Sequence, residues 1–309
     1  MSRLSTAPRT SVTRCALAGR WTRLGGGPDG FTPAGEGLGQ TLSKKRRSAF
    51  PRRLVTDFWG TVLRALASIG LLCSAGLPWV GCTCLEPPRT SIPELHVPRA
   101  ASAPSIDGDL SDWPPSAART EPFVDTMTGA HEELAPTARL MWDDRALYLA
   151  FQVDDPFLRS AGTERDDHLW EEDCVELMLD PDGDEQRYLE LQVSPRNVVF
   201  DTWFDSRRQP QPFGHVAWSS GLTAEVALRG EASDHEPDEG YTVELRIPWS
   251  ALAIGPHPIG EAPHAGQTWR VALYALDVRE DGQWGAGWSP PLEGDFHVPA
   301  RFGRVTFRE

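Results

Sequence analysis

The feature that most limits the fold of this chain is a period of two. From Ser105 onward apolar residues return at alternate positions in short runs, and the runs break at Gly, Pro, Asn or Asp. Successive side chains of an extended strand point to opposite faces, so such a run gives one apolar and one polar face only as a strand. Leu140 and Trp142 lead to the turn Asp143, Asp144 and Arg145, after which Leu147, Leu149, Phe151 and Val153 alternate with Tyr148, Ala150 and Gln152. That spacing predicts a hairpin. Leu189, Leu191 and Val193, a turn at Pro195, Arg196 and Asn197, and the run 198–204 predict a second. Further strands are expected at 216–228, 243–247, 269–277 and 305–307, with one helical turn at 249–253 behind Pro248. The expected fold is all-β: a two-sheet antiparallel β-sandwich over residues 105–309, large enough to bury most strand faces without staples.

What precedes this region differs in kind. The first 85 residues hold 12 of the 30 basic and 3 of the 44 acidic residues, leaving 18 basic against 41 acidic, a net of −23, for 86–309. Such a balance repels phosphate backbones, which excludes nucleic acid as a partner and leaves neutral sugars or divalent cations. Residues 1–50 lack periodicity and end in the basic run Lys44 to Arg47, so they read as a disordered leader or as the result of a start placed too early. In 51–85, Arg52, Arg53 and Arg64 precede the apolar run 65–80, the order of a secretory signal and short for a membrane span. Val80, Gly81 and Cys82 resemble the lipobox of bacterial lipoproteins, with Trp79 where a small aliphatic residue is usual. Cys82 is therefore a candidate lipidation site, and the expected location is the bacterial cell envelope or the exterior. Membrane contact is expected through a lipid anchor alone. Prolines at 87, 88, 93, 98 and 104 make 86–104 a semi-stiff tether. Cys174 is the lone cysteine beyond the leader, so no internal disulfide is available and the thiol reads as a small packed hydrophobe.

Function is legible in one stretch, DDHLWEEDCVELMLDP at 166–181. Val175, Leu177 and Leu179 fall on one face of a strand and Cys174, Glu176 and Met178 on the other. Pro181 and the turn residues after it stop the ladder. Ahead of the strand, Trp170 stands among Asp166, Asp167, Glu171, Glu172 and Asp173. An indole plate beside charged acceptors suits a polyhydroxylated ligand, whereas the plain alternative is a solvated acidic loop. Glu176, Glu190, Gln192 and Ser194 lie opposite the core residues of their strands, lining a slot next to Trp170 or forming a solvated outer face.

Seven pieces in order resemble the carbohydrate-binding modules of family 9 and related single-domain bacterial proteins: IDGDLSDW (106–113), MWDDRALYLAFQVDDP (141–156), DDHLWEEDCVELMLDPDGD (166–184), YLELQVSPRNVVFD (188–201), GYTVELRIPW (240–249), WSPP (288–291) and DFHVPARFGRVTF (295–307). The resemblance implies a β-sandwich that holds a terminal pyranose between two aromatic rings without cleaving it. By that likeness Trp170 is one ring and Phe296, where the family has a tryptophan, the other; Glu176 is the carboxylate that bonds ring hydroxyls. Gln192 and Ser194 stand where a sugar-binding member has arginine and asparagine, and Asp173 and Trp288 complete the candidate ligand contacts. Some members carry structural calcium, the single cofactor to consider; Asp107, Asp109 and Asp112 are the candidate ligands here. The partner expected is a glycan or polysaccharide.

Two rival readings remain. A glycoside hydrolase or lyase would use two carboxylates from Asp167, Asp173, Glu176 and Glu190 set across a cleft. No nucleophile elbow, paired metal-binding histidines or phosphate loop accompanies them. His168 and His297 fall in the segments bearing the proposed rings. The third class is a protein-interaction or envelope module that keeps the fold without the sugar.

Overall fold

The computed structural model describes residues 86–309 apart from positions 134, 235, 255, 256, 259 and 281. The leader, the signal-like run and Cys82 lie outside the described residues. In chain order the strands are β1 (Glu94–Pro98), β2 (Ala118–Arg119), β3 (Val124–Asp125), β4 (Thr137–Trp142), β5 (Ala146–Val153), β6 (Cys174–Asp180), β7 (Tyr188–Val193) and β8 (Val199–Phe204). They continue as β9 (Thr223–Arg229), β10 (Gly240–Pro248), β11 (Ala253–Ile254), β12 (His257–Pro258), β13 (Thr268–Arg279), β14 (Gly282–Gly287) and β15 (Gly303–Arg308). Among the described residues helix is confined to four short 3-10 turns, one of them the expected turn at Trp249–Leu252.

Two sheets face each other. The larger runs β1-β15-β13-β6-β7-β8, with β14 added at β13 and β3 at β14, and the smaller runs β2-β4-β5-β10-β9. Both predicted hairpins are present, as β4 with β5 and β7 with β8. Val175, Leu177 and Leu179 of β6, Leu189, Leu191 and Val193 of β7, and Val271 and Leu273 of β13 meet the apolar faces of β4, β5 and β10 in the main core. This is the antiparallel sandwich that alternation predicts, with one exception in direction: β1 pairs parallel to β15.

That exception corrects the tether. Within 86–104, Leu95 and Val97 alternate over five residues, and Pro93 and Pro98 only bracket the run, as an edge strand tolerates. Val97 lies opposite Phe307 and is fully buried. The expected strand at 216–228 is also shorter than foreseen. It begins at Thr223, because Gly221 takes a φ of +66° that breaks the extended run before it.

The outer face of the larger sheet is not a solvated one. Cys174 and Met178 of β6, Tyr188 of β7, Phe200 and Phe204 of β8, and Ala272 and Tyr274 of β13 form a second buried cluster. Loops cover it, and Trp170, Phe213 and Phe296 pack against it half-buried.

Candidate functional site

Register sets Phe200, Gln192, Glu176 and Tyr274 side by side across β8, β7, β6 and β13. Three strand spacings, about 14 Å, separate the two ends of this row. Trp170 stands edge-on to Phe200, with centroids 5.1 Å apart at 77°. Phe296 stacks on Tyr274, 4.5 Å apart at 25°. Two rings from distant parts of the chain thus stand over the ends of one row, with Gln192 and Glu176 between them. Trp170 is placed by the 3-10 turn Leu169–Glu171, whose Leu169 is buried, and by Gln283, whose amide donates to the Trp170 carbonyl. Phe296 has a bare backbone beneath it: a β-carbon on Gly285 would come 2.9 Å from its ring.

The floor between the rings is polar and buried. Gln192 Nε2 donates to Glu176 Oε2 at 2.9 Å and to Glu190 Oε1 at 2.7 Å. Burial pushes the Glu176 carboxyl well above the usual range, with repulsion from Glu190 adding to it. Burial likewise lifts Glu190 to about 7, against the attraction of Arg208. His297 is driven down to about 3 by burial and then by Arg208, so its ring is neutral. Its 3.5 Å approach to Glu190 is therefore not an ion pair. Its Nδ1 lies 2.7 Å from the Tyr188 hydroxyl. Three side-chain atoms of the row, Glu176 Oε1, Gln192 Oε1 and the Tyr274 hydroxyl, are buried without any hydrogen-bond partner. An unmade bond of this kind costs about 1–3 kcal/mol.

Of the residues expected from sequence, the structure brings together Trp170, Phe296, Glu176 and Gln192, with Glu190 beside them. Three others are corrected. Trp288 is 2% exposed in the main core, packed so tightly that a β-carbon on Gly303 would sit 2.4 Å from its ring, and no ligand can reach it. Ser194 closes the β7–β8 turn, where its hydroxyl accepts the Val198 N–H at 3.3 Å. Asp173 shares the parity of Val175, so it lies on the inner side of the sheet and accepts the Val278 N–H at 2.7 Å. Sequence reasoning missed Phe213, which comes 5.1 Å from Trp170, because no alternation marks its loop. His168, stacked on Trp170 at 4.5 Å, was noted only as a neighbour in sequence.

In the loop expected to hold calcium, the carboxylates take up backbone N–H groups. Asp107 accepts from the Asp109 N–H, Asp109 from Ser111 and Asp112 from Ser105. Each carboxylate caps its own turn. Two other carboxylate groups, Asp155 with Asp173 and Asp277, and Asp180 with Asp182 and Asp184, each bring their oxygens within 4.8 Å of one another. Burial and then the charge of Asp277 raise Asp155 to about 6; burial and then Asp155 raise Asp173 to about 8. The Tyr241 hydroxyl is buried beside them without a partner. Asp155 and Asp277 open onto a cleft of about 1190 Å³ lined also by Phe157, Arg279 and Trp284. This cleft runs behind the Trp170 loop and does not include the row.

A family model described as carbohydrate family 9 binding domain-like matches residues 106–309. Exoglucanase XynX of Acetivibrio thermocellus is 28% identical over 152 residues, 49% of this chain and 12% of that protein. Endo-1,4-beta-xylanase A of Thermotoga neapolitana is 24% identical over 209 residues, 65% of this chain and 17% of that protein. The match therefore spans under a fifth of either relative. Among solved structures, a candidate carbohydrate-binding protein from Bacteroides uniformis has the same fold, with a TM-score of 0.57 at 21% identity over 71% of this chain and 100% of that one.

Proposed function

Since the chain belongs to the carbohydrate family 9 binding domain-like family, whose modules bind sugar and do no catalysis, we propose that it grips a pyranose at the end of a polysaccharide between Trp170 and Phe296. The observation that carries this reading is the pair of half-buried rings over one row, with Glu176 and Gln192 between them holding unpaired polar atoms. The rings would take the C–H faces of the sugar and the carboxyl and amide its hydroxyls. Phenylalanine offers less area than an indole and no N–H, so affinity is expected in the micromolar to millimolar range, about −8 to −4 kcal/mol. The names of the relatives direct the search to 1,4-linked glucan and xylan ends.

Titration calorimetry with cellotriose and xylotriose tests this. Saturable binding lost in Trp170→Ala and weakened in Glu176→Gln, with no reducing ends released, is the expected outcome. Binding that is unchanged in Trp170→Ala refutes the site.

Export and anchoring at the envelope through Cys82 belong to the same reading, and mass spectrometry of the mature amino terminus checks them; an intact Met1 in native protein overturns them. The same reading places structural calcium at Asp155, Asp173 and Asp277, a choice supported by the convergence of their oxygens and by the unpaired Tyr241 hydroxyl beside them, since hard cations take several oxygen ligands. Millimolar calcium should then raise the Tm and a chelator lower it, with Asp277→Asn abolishing the response; an unresponsive Tm rules the ion out.

A further inference from the structure

One loop makes two contacts that both stand in a ligand's way. Residues 205–214 leave the end of β8 and fold on themselves: the Asp205 N–H donates to Gln209, Gln209 to Ser206, and Gly214 to Pro210, at 2.7 to 2.9 Å. At one end the loop lays Phe213 against Trp170, 5.1 Å away at 40°, and against His168, which already covers the indole. Toward the other, the Arg208 N–H donates to the Tyr188 hydroxyl at 3.2 Å, and the Arg208 charge is felt at Glu176 and Glu190. Beneath, the row is sealed. Glu176 is 2% exposed, Gln192 1% and Tyr274 0%, although each holds an unpaired polar atom. For a sugar to reach this floor, whatever closes it to solvent has to move.

The fastening is visible. Asp295, next to Phe296, accepts from Arg208 Nε at 2.9 Å through one oxygen and from Arg207 Nη2 at 2.9 Å through the other. Glu293 pairs with Arg207 as well. The two arginine side chains are about half exposed, at 50% and 46%, so dissolved salt screens these pairs. Gly214 ends the loop with a φ of +73°, in a spot where a β-carbon would meet the Trp203 carbonyl at 2.5 Å, and it can serve as the pivot.

We propose that residues 205–214 form a flap held shut over the slot by Arg207 and Arg208 on Asp295 and Glu293, and that a sugar enters when these ion pairs release. The proposal rests on the reading of the slot as the sugar site. It makes the affinity for an uncharged sugar depend on ionic strength, which direct contacts with a neutral ligand would not.

Two measurements on the full chain test it, one without ligand. Hydrogen exchange across 205–215 should quicken between 50 mM and 1 M NaCl, with the strands unchanged, and should already be fast at 50 mM in Arg207→Gln/Arg208→Gln. Cellotriose or xylotriose should bind about five-fold tighter at 1 M than at 50 mM, the gain expected from freeing three partly exposed pairs. The double variant should bind at the tighter level at both salts, and Asp295→Asn, which keeps the Arg207–Glu293 pair, should fall between it and the native chain at 50 mM. Exchange that ignores salt and variants, or affinity that stays level or weakens, overturns the flap. Altered exchange with no sugar bound under any condition keeps the flap and refutes the sugar site instead.

Discussion

Glu190 lies buried beside Gln192, with its carboxyl lifted from an ordinary 4.5 to about 7. A group that holds its proton more firmly folded than unfolded stabilises the fold at low pH, and that stability is lost as pH rises through the folded value. The domain should therefore lose stability between about pH 4.5 and 7 from this residue, by about 3 kcal/mol at most. Chemical denaturation across that range checks it: Glu190→Gln should flatten the slope, and a slope that persists unchanged refutes the assignment. Gly303 carries a second prediction, since its missing β-carbon is what lets Trp288 close the core. Gly303→Ala should cost about 2 kcal/mol by overpacking, read as a lower denaturation midpoint. At this scale the sequence told less than half. Trp170 and Glu176 could be read because parity and an acidic loop mark them, but WSPP carries no parity, so nothing in it distinguishes a core Trp288 from a ligand-facing one. Glu176 and Tyr274, with their unpaired atoms, are brought together by register between β6 and β13 although they lie 98 positions apart in sequence.

Among the elements, alternation found the interior strands and failed at the margins. β5, β6, β7 and β13 were legible because a strand between two packed layers must repeat its apolar side chains. β1 was hidden by its flanking prolines, which dominate composition yet touch only the ends of the ladder. Its contribution can be measured. Val97→Asp places an unpaired charge where Val97 now faces Phe307 and should destabilise the domain by about 3 kcal/mol or more, seen as a lowered Tm; a change under about 0.5 kcal/mol would return β1 to the status of a tether. The loop 205–214 was invisible for the opposite reason. It has no period at all, and its importance comes from where β8 ends.

The described domain has a central sheet sealed on both sides, by the sandwich core within and by the aromatic cluster without. The two clusters share β6, β7 and β13 as their common wall, so they should be lost together. Near-ultraviolet and far-ultraviolet circular dichroism should give coincident melting curves, and an earlier aromatic transition would show the outer layer to be independent. Parallel pairing of the first and last strands fixes one more property. Neighbours that run the same way begin at one pole and finish at the other, so the chain enters beside Glu94 and Gly303 and departs beyond Pro98 and Arg308. Anything spliced after Glu309 would consequently emerge at the far pole from Glu94, where β1 begins.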